Sequence, residues 1–425
     1  MTEKSDISRS LARYGFYVSI LLFFYGTLFP FWFDFSGREL SEAWARSGLL
    51  PYWDLDRGRI HSIPDIVANI LLTLPLGFFG ALHRGDGRGG AMWRWWVLGF
   101  VLGVAAETLQ LAIPSRSSSI TDACNNAFGV LAGSAAACIA GTRLLRLLSG
   151  TICSRECTCL WILTGILATT MLGPFDLSLD IAHIRADMRM LYNNPWESGL
   201  PLGDAWIQIA EFAILGALAG RMARTGGPGT RKLGFWGSAA AVLAMPPALE
   251  IAQLLVESHA PSFRDLAMAT GSLAAGFAVG AYAPRLARPA CGFILLSLAI
   301  VASGLSPYRF ASGKGVSSFE WIPLVEYYRH TTAPALYDAI LGFLSFGLAG
   351  GLLKLSCTRC SRALVVGYAL VLAGAIEYVQ LYLPSRHPGV TDMLIACLGA
   401  WTGAMIGAGI ESGSYGNSVE IARRR

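Results

Sequence analysis

The chain has 425 residues, 54% of them hydrophobic and only 14% charged. Soluble domains carry nearer ~25% charge, so this composition, with a mean hydropathy of +0.50, excludes that class. It points instead to an all-α, polytopic transmembrane bundle, because lipid leaves any open backbone group unsatisfied. The net charge of +5 is spread over many short loops, which fits an orientation signal and excludes a nucleic-acid footprint.

Lys4, Arg9 and Arg13 precede an apolar run over 14–33. That run is too long for a signal-peptide core and no small-residue cleavage site follows it, so it is expected to be a retained span. Further apolar segments of suitable length follow at 63–82, 92–113, 122–140, 160–179, 204–222, 234–256, 265–283, 291–306, 334–355, 363–383 and 390–410, the ninth being short. Together they predict about twelve spans.

A fixed frame recurs every four segments. An Asp opens the second helix of each group: Asp65, Asp204 and Asp338. Twelve residues on stands a glycine: Gly77, Gly216 and Gly350. Glu-x-x-Gln closes the third helix, as Glu107 and Gln110, Glu250 and Gln253, Glu377 and Gln380. Fifteen residues after each Glu an Asp opens the fourth helix: Asp122, Asp265 and Asp392. Small residues then continue at four-residue steps, a spacing that lets helices approach closely. For the glycines, helix packing alone is the better explanation. The frame predicts three internal repeats, over 1–150, 151–288 and 289–425.

Four spans per unit is an even number, so the units share one orientation. Most Lys and Arg fall on the side of the termini and of the loops after the even-numbered spans. The positive-inside rule then predicts a multi-pass protein of the cytoplasmic (inner) membrane with both termini cytoplasmic. The acids of the frame all fall toward the outer face. The longer outer loops, about 34–62, 180–203 and 307–333, are rich in aromatics and expected to lie along the interface.

The first unit is the richest. It reads Asp65-x-x-x-Asn69, Pro75-Leu76-Gly77, Glu107-x-x-Gln110, Pro114-Ser115-Arg116 and Thr121-Asp122-x-x-x-Asn126-x-x-Gly129. Glu107 and Gln110 share a helix face, as do Asp122 and Asn126. Thr121 or Asp122 can cap exposed N–H groups. Arg116, in the loop between, can pair with Glu107, Asp122 or an external anion.

These residues resemble the VanZ-like family, through "ANILLTLPLGF", the Glu-x-x-Gln followed by an Arg, and "DACNNAFGVLAG". The family pattern falls on Asn69, Pro75, Gly77, Glu107, Gln110, Arg116, Asp122, Asn126 and Gly129. The third unit keeps Glu377, Gln380, Arg386 and Asp392 but has Ala396 in place of the Asn. The second is the most degraded: His259 stands at the Arg position, Ala269 at the Asn position, and Arg264 precedes Asp265. The resemblance implies an integral membrane protein of the cell envelope. The family's namesake is linked to low-level teicoplanin resistance, and no defined reaction comes with the family.

Two interpretations of the polar cluster stand side by side. In one, Glu, Gln, Arg and Asp form a hydrogen-bonded lock between helices. In the other, a pocket open to the outer leaflet binds a lipid head group or lipid-linked glycan. Arg116 and Arg386 would take phosphate and the amides hydroxyls. The expected partners are therefore membrane lipids and a lipid-linked glycan or envelope precursor, with no nucleic acid. A transporter or flippase, or a membrane enzyme acting on a head group with Glu107 and Asp122 as acid and base, are the alternatives. No catalytic residue, metal or cofactor is expected. Cys153, Cys157, Cys159, Cys357 and Cys360 are expected to be reduced cytoplasmic thiols, and Cys124, Cys138, Cys291 and Cys397 small packing residues. Arg423, Arg424 and Arg425 suit retention on the inner side.

Overall fold

The apolar segments fold as helices, which satisfy their own backbone groups without water. A computed structural model describes residues 2–28, 33–47, 52–54, 59–60, 63–84, 92–114, 116, 118–141, 155–173, 181–196, 202–225, 240, 242–256, 259–311, 318–323, 332–357 and 359–423. In chain order the helices are α1 (Thr2–Leu28), α2 (Gly37–Arg46), α3 (Ile63–Arg84), α4 (Met92–Gln110), α5 (Ile120–Ala136), α6 (Arg155–Leu172) and α7 (Ile181–Asn193). They continue as α8 (Leu202–Thr225), α9 (Met245–Gln253), α10 (Phe263–Tyr282), α11 (Pro289–Gly304), α12 (Thr332–Ser356), α13 (Arg362–Gln380) and α14 (Val390–Arg423). A two-residue antiparallel ladder, β1 (Trp53–Asp54) with β2 (Arg59–Ile60), interrupts the first long loop.

Each expected span overlaps a helix, the seventh only in part because 234–239 lie outside the described residues. Among the described residues, four stretches are long and apolar enough to cross a membrane: Ala205–Arg224, Tyr337–Ser356, Arg362–Gln380 and Val390–Ile410. Gly15–Leu28, Thr158–Leu172 and Pro289–Gly304 are apolar but shorter. Helices α2 and α7 form inside two of the aromatic loops and leave Trp44 and Tyr192 exposed. The side chains of Asp65, Asp204 and Cys157, and residues Ser115, Cys153, Arg424 and Arg425, lie outside the described set.

The chain divides into two compact units, Met1–Cys153 with Phe175–Ile184, and Ser154–Pro174 with Arg185–Arg425. The first centres on Leu76, Ala81, Trp95, Val130 and Ala137. The core of the second runs through Leu167, Phe212, Leu273, Leu296, Ala369 and Ala400.

In lipid no hydrophobic force draws helices together, so close packing over small residues must do so. The same contact register recurs in three helix pairs. A Cβ on Gly77 of α3 would run into the Val130 carbonyl of α5. One on Gly216 of α8 would strike the Leu273 carbonyl of α10, and one on Gly350 of α12 the Ala400 carbonyl of α14. The facing glycines reciprocate: Gly133 lies on the Leu74 carbonyl, Gly276 on that of Ala213 and Gly403 on that of Gly347. These backbones touch only because both surfaces lack side chains there.

Candidate functional site

Helices α4, α9 and α13 end in the same stepped turn. Ile113 N–H donates to the Gln110 carbonyl at 2.9 Å, and Arg116 N–H to the Ile113 carbonyl at 2.9 Å. Val256 and His259 repeat these steps after Gln253 at 2.9 and 3.3 Å, and Leu383 and Arg386 after Gln380 at 2.9 and 3.1 Å. The pivots Ile113, Val256 and Leu383 are almost wholly buried. A buried apolar residue three positions after the Gln pulls the turn inward and fixes where the following Arg or His stands.

Within this frame the Glu and Gln side chains make the same bonds three times. Glu107 Oε2 accepts the Ser119 N–H at 2.7 Å, Glu250 Oε2 the Ser262 N–H at 3.1 Å and Glu377 Oε2 the Gly389 N–H at 2.8 Å. Gln110 Nε2 donates to the Thr27 carbonyl at 2.6 Å, Gln253 Nε2 to Met171 at 3.1 Å and Gln380 Nε2 to Gly304 at 2.8 Å. Thr27, Met171 and Gly304 lie in the last turns of α1, α6 and α11, where helix carbonyls lack intrahelical partners. Each Gln thus caps a neighbouring helix, and each Glu holds the loop that leads into the next one.

The first unit adds a polar cluster beside this lock. Asn69 Nδ2 on α3 donates to Asp122 Oδ1 on α5 at 2.6 Å. Asn126, one turn deeper than Asp122, is 1% exposed, and among the described residues neither its Oδ1 nor its Nδ2 has a hydrogen-bond partner. Gly103 of α4 packs against Ala123 and Asn126, so the amide is enclosed between helices. Tyr52 closes the other side: its N–H donates to Thr121 Oγ1 at 2.8 Å and its hydroxyl to Asn125 Oδ1 at 3.2 Å. Its φ of 61° is an uncommon left-handed conformation for a bulky residue, held here by both bonds. Burial pushes the Tyr52 phenol up, so it is a hydroxyl donor at neutral pH. Arg116 is exposed in the loop between Gln110 and α5.

The second and third stretches differ. Arg264 Nε pairs with the buried Asp265 Oδ1 at 3.4 Å. The His259 ring stands edge-on to Tyr337 at 5.9 Å, and the Tyr337 hydroxyl donates to the Thr170 carbonyl at 2.9 Å. Burial lowers the His259 pKa. Arg386 donates from Nε to the Ser306 carbonyl at 3.0 Å and from Nη2 to the Ser303 carbonyl at 3.3 Å, so two of its donors are engaged at the C-terminal end of α11. Asp338 is exposed on α12, and Asp392 lies in the first turn of α14. Asp65 opens α3.

The helix caps are a correction. Neither Thr121 nor Asp122 caps α5: Ser119 does, its Oγ accepting the Thr121 N–H at 3.1 Å, while Asp122 is drawn to Asn69. Ser262 caps α10 in the same way, with backbone angles of −143° and 134° against −142° and 132° at Ser119. Sequence reasoning also passed over Gln208 and Glu211, buried on α8 and outside the frame. Glu211 Oε2 accepts from Thr170 Oγ1 at 3.3 Å; its Oε1 and Gln208 Oε1 have no partner among the described residues. The signal available was simply two polar residues, three apart, inside an apolar helix. Among the described residues no group of three or more His, Cys, Asp or Glu is placed to hold a metal ion.

Long apolar helices, joined backbone to backbone over glycine and tied at their ends by buried Glu and Gln, define an integral membrane protein of the helical class. The family model described as VanZ/LLP1 matches residues 16–141 and 291–410, two separate regions that together exceed half the chain. The chain belongs to the VanZ/LLP1 family. No curated protein and no solved structure matches it.

Proposed function

We propose that this protein consists of three tandem VanZ-like units of four spans each, over 1–150, 151–288 and 289–425, with both termini in the cytoplasm. The support is the shared register of the three glycine crossings and the three copies of the Glu and Gln bonds. In this arrangement the Glu and Gln side chains are the lock. Recognition belongs to the first unit alone, where Asn69, Asp122, Asn126 and Arg116 remain as a distinct polar group. Its ligand is a lipid-linked or glycan component of the envelope at the outer leaflet of the cytoplasmic membrane. Phosphate would meet Arg116, and hydroxyls the amides and Asp122.

One observation carries this reading. A buried amide with no partner costs on the order of 1–3 kcal/mol, and Asn126 holds two such atoms one turn along α5 from Asp122. A purely structural cluster would be expected to satisfy its own donors and acceptors; Glu107 Oε2, Glu377 Oε2 and the three Gln amides each have a main-chain partner, whereas Asn126 has neither a donor nor an acceptor among the described residues. The test is native mass spectrometry of the purified full chain with identification of retained lipids, run beside Asp122→Asn and Asn126→Ala. A specific lipid lost from well-folded variants would support the site and name its chemistry. Unchanged lipid content would refute it and leave the cluster as part of the lock.

A further inference from the structure

At the other end of α4 lies a groove that neither the family pattern nor the acidic frame includes. It encloses about 580 Å³ between α1, α3 and α4. Its floor is Val97, Leu98 and Val101, which with Arg94 fall at i, i+3, i+4 and i+7 on one face of α4. Trp95 backs it, seated where Gly80 leaves room: a Cβ on Gly80 would overlap the indole. Phe16 of α1 meets that indole edge-on at 6.4 Å and stacks on His83 at 6.0 Å. The rim is basic. His83 and Arg84 come from the last turn of α3 and Arg94 from the first turn of α4, all exposed. Among the described residues that line it, none is acidic.

We propose that this groove holds one anionic glycerophospholipid, with its phosphodiester against Arg84 and Arg94 and an acyl chain along Val97, Leu98 and Val101. The charge at one end requires an anion. The α4 N-terminus adds its own positive dipole there. A soluble anion would leave the apolar floor unused. From Arg94 to Val101 is seven residues, about 10 Å of helix, which matches the step from head group to acyl chain at a bilayer interface. Val97 and Val101 are 39% and 57% exposed, a surface that suits lipid and not water. Its charged end at Arg94 lies roughly 20 Å along α4 from Glu107, and its lining includes no residue of the Asn126 cluster, so it does not rest on the function proposed for that cluster. With the termini in the cytoplasm it faces the inner leaflet.

The test is native mass spectrometry of the full chain in mild detergent, titrated with phosphatidylglycerol or with phosphatidylcholine of the same acyl chains. One phosphatidylglycerol should be retained under activation that strips phosphatidylcholine. Arg84→Gln combined with Arg94→Gln should lower its retention by about thirtyfold, as expected for two interfacial cations. Val101→Trp, which fills the floor and keeps the charges, should lower it as well, and it carries the test if the double variant fails to fold. Equal retention of the two lipids overturns the proposal. So does full retention in the charge variant, or a charge effect without any effect of Val101→Trp.

Discussion

Gln110 and Thr27 meet through one hydrogen bond of 2.6 Å, from a side-chain amide at the end of α4 to a main-chain carbonyl at the end of α1. Gln380 and Gly304 repeat the relationship 76 residues apart in sequence. A helix's last carbonyls have no partners within the helix. Replacing the Gln by an apolar residue leaves the carbonyl buried and unmade. Gln380→Leu and Gln253→Leu are therefore expected to destabilise by about 1–3 kcal/mol each, read as a lower thermal midpoint in detergent. An unchanged midpoint in both would show that these amides contribute nothing to the lock.

The carboxylates make a sharper test, because the residue they bind is a backbone N–H. A glutamine carbonyl can still accept that bond, whereas leucine cannot. Glu377→Gln should stay close to the parent in stability, and Glu377→Leu should lose on the order of 1.5–3 kcal/mol, the range for bonds to charged groups. If the two variants melt together, the bond to Gly389 is not what Glu377 supplies.

The glycines give a prediction of opposite sign from one chemical change. Gly403 lies against the Gly347 backbone, and an added methyl has nowhere to go. Gly367, on α13, has nothing within 4 Å of where its Cβ would stand. Gly403→Ala should push α12 and α14 apart and reduce folded yield. Gly367→Ala should be neutral or gain up to about 1 kcal/mol from helix propensity. Monodisperse yield by size-exclusion chromatography and thermal midpoint, measured on both variants, decide the matter.

What the sequence shows most plainly is what contrasts with its surroundings. Glu107, Glu250 and Glu377 were visible because a carboxylate in an apolar run is costly and the spacing recurred. What those groups touch was not visible: their partners are main-chain atoms, and every residue has those. Ser119 was hidden among Ser117, Ser118 and Ser119, any of which could precede a helix; the structure selects the one in extended geometry. Glu211 carried the same cost argument as Glu107 but stood outside the recurring frame. Leu72 and Ser345 occupy the corresponding places relative to Asp65 and Asp338, so no acid recurs at its position. Arg386 looked like Arg116 in sequence, yet its donors reach Ser303 and Ser306. Tertiary context, not residue type, separates those two arginines.

Cys357 and Cys360 sit between α12 and α13, outside the spans. The hydrogen bond from Cys360 pushes the Cys357 thiol down, and the same bond pushes Cys360 up. The thiolate is the nucleophile, so Cys357 should react first with an impermeant maleimide at neutral pH, and Cys360→Ala should slow it. In intact cells the label should reach Cys357 only after permeabilisation, as required by cytoplasmic termini. Site-resolved mass spectrometry reads both outcomes. Labelling without permeabilisation would reverse the orientation.

His259 provides a pH dependence whose sign follows from burial. Its ring lies in the loop after α9, packed on Tyr337, and burial lowers its pKa below the ordinary value of 6.5. The folded protein therefore binds fewer protons at this site than the unfolded chain does. Stability from this group is fully present above pH 6.5 and declines as pH falls below that value toward the folded pKa. The quantity to compare is the change in thermal midpoint between pH 7.5 and pH 5 with and without the imidazole. His259→Phe keeps an aromatic against Tyr337 and removes the proton site. It should flatten the decline on acidification and leave the midpoint at pH 7.5 nearly unchanged. A variant that loses as much stability on acidification as the parent would show that His259 titrates alike in the folded and unfolded states, and that its burial does not penalise the charged ring.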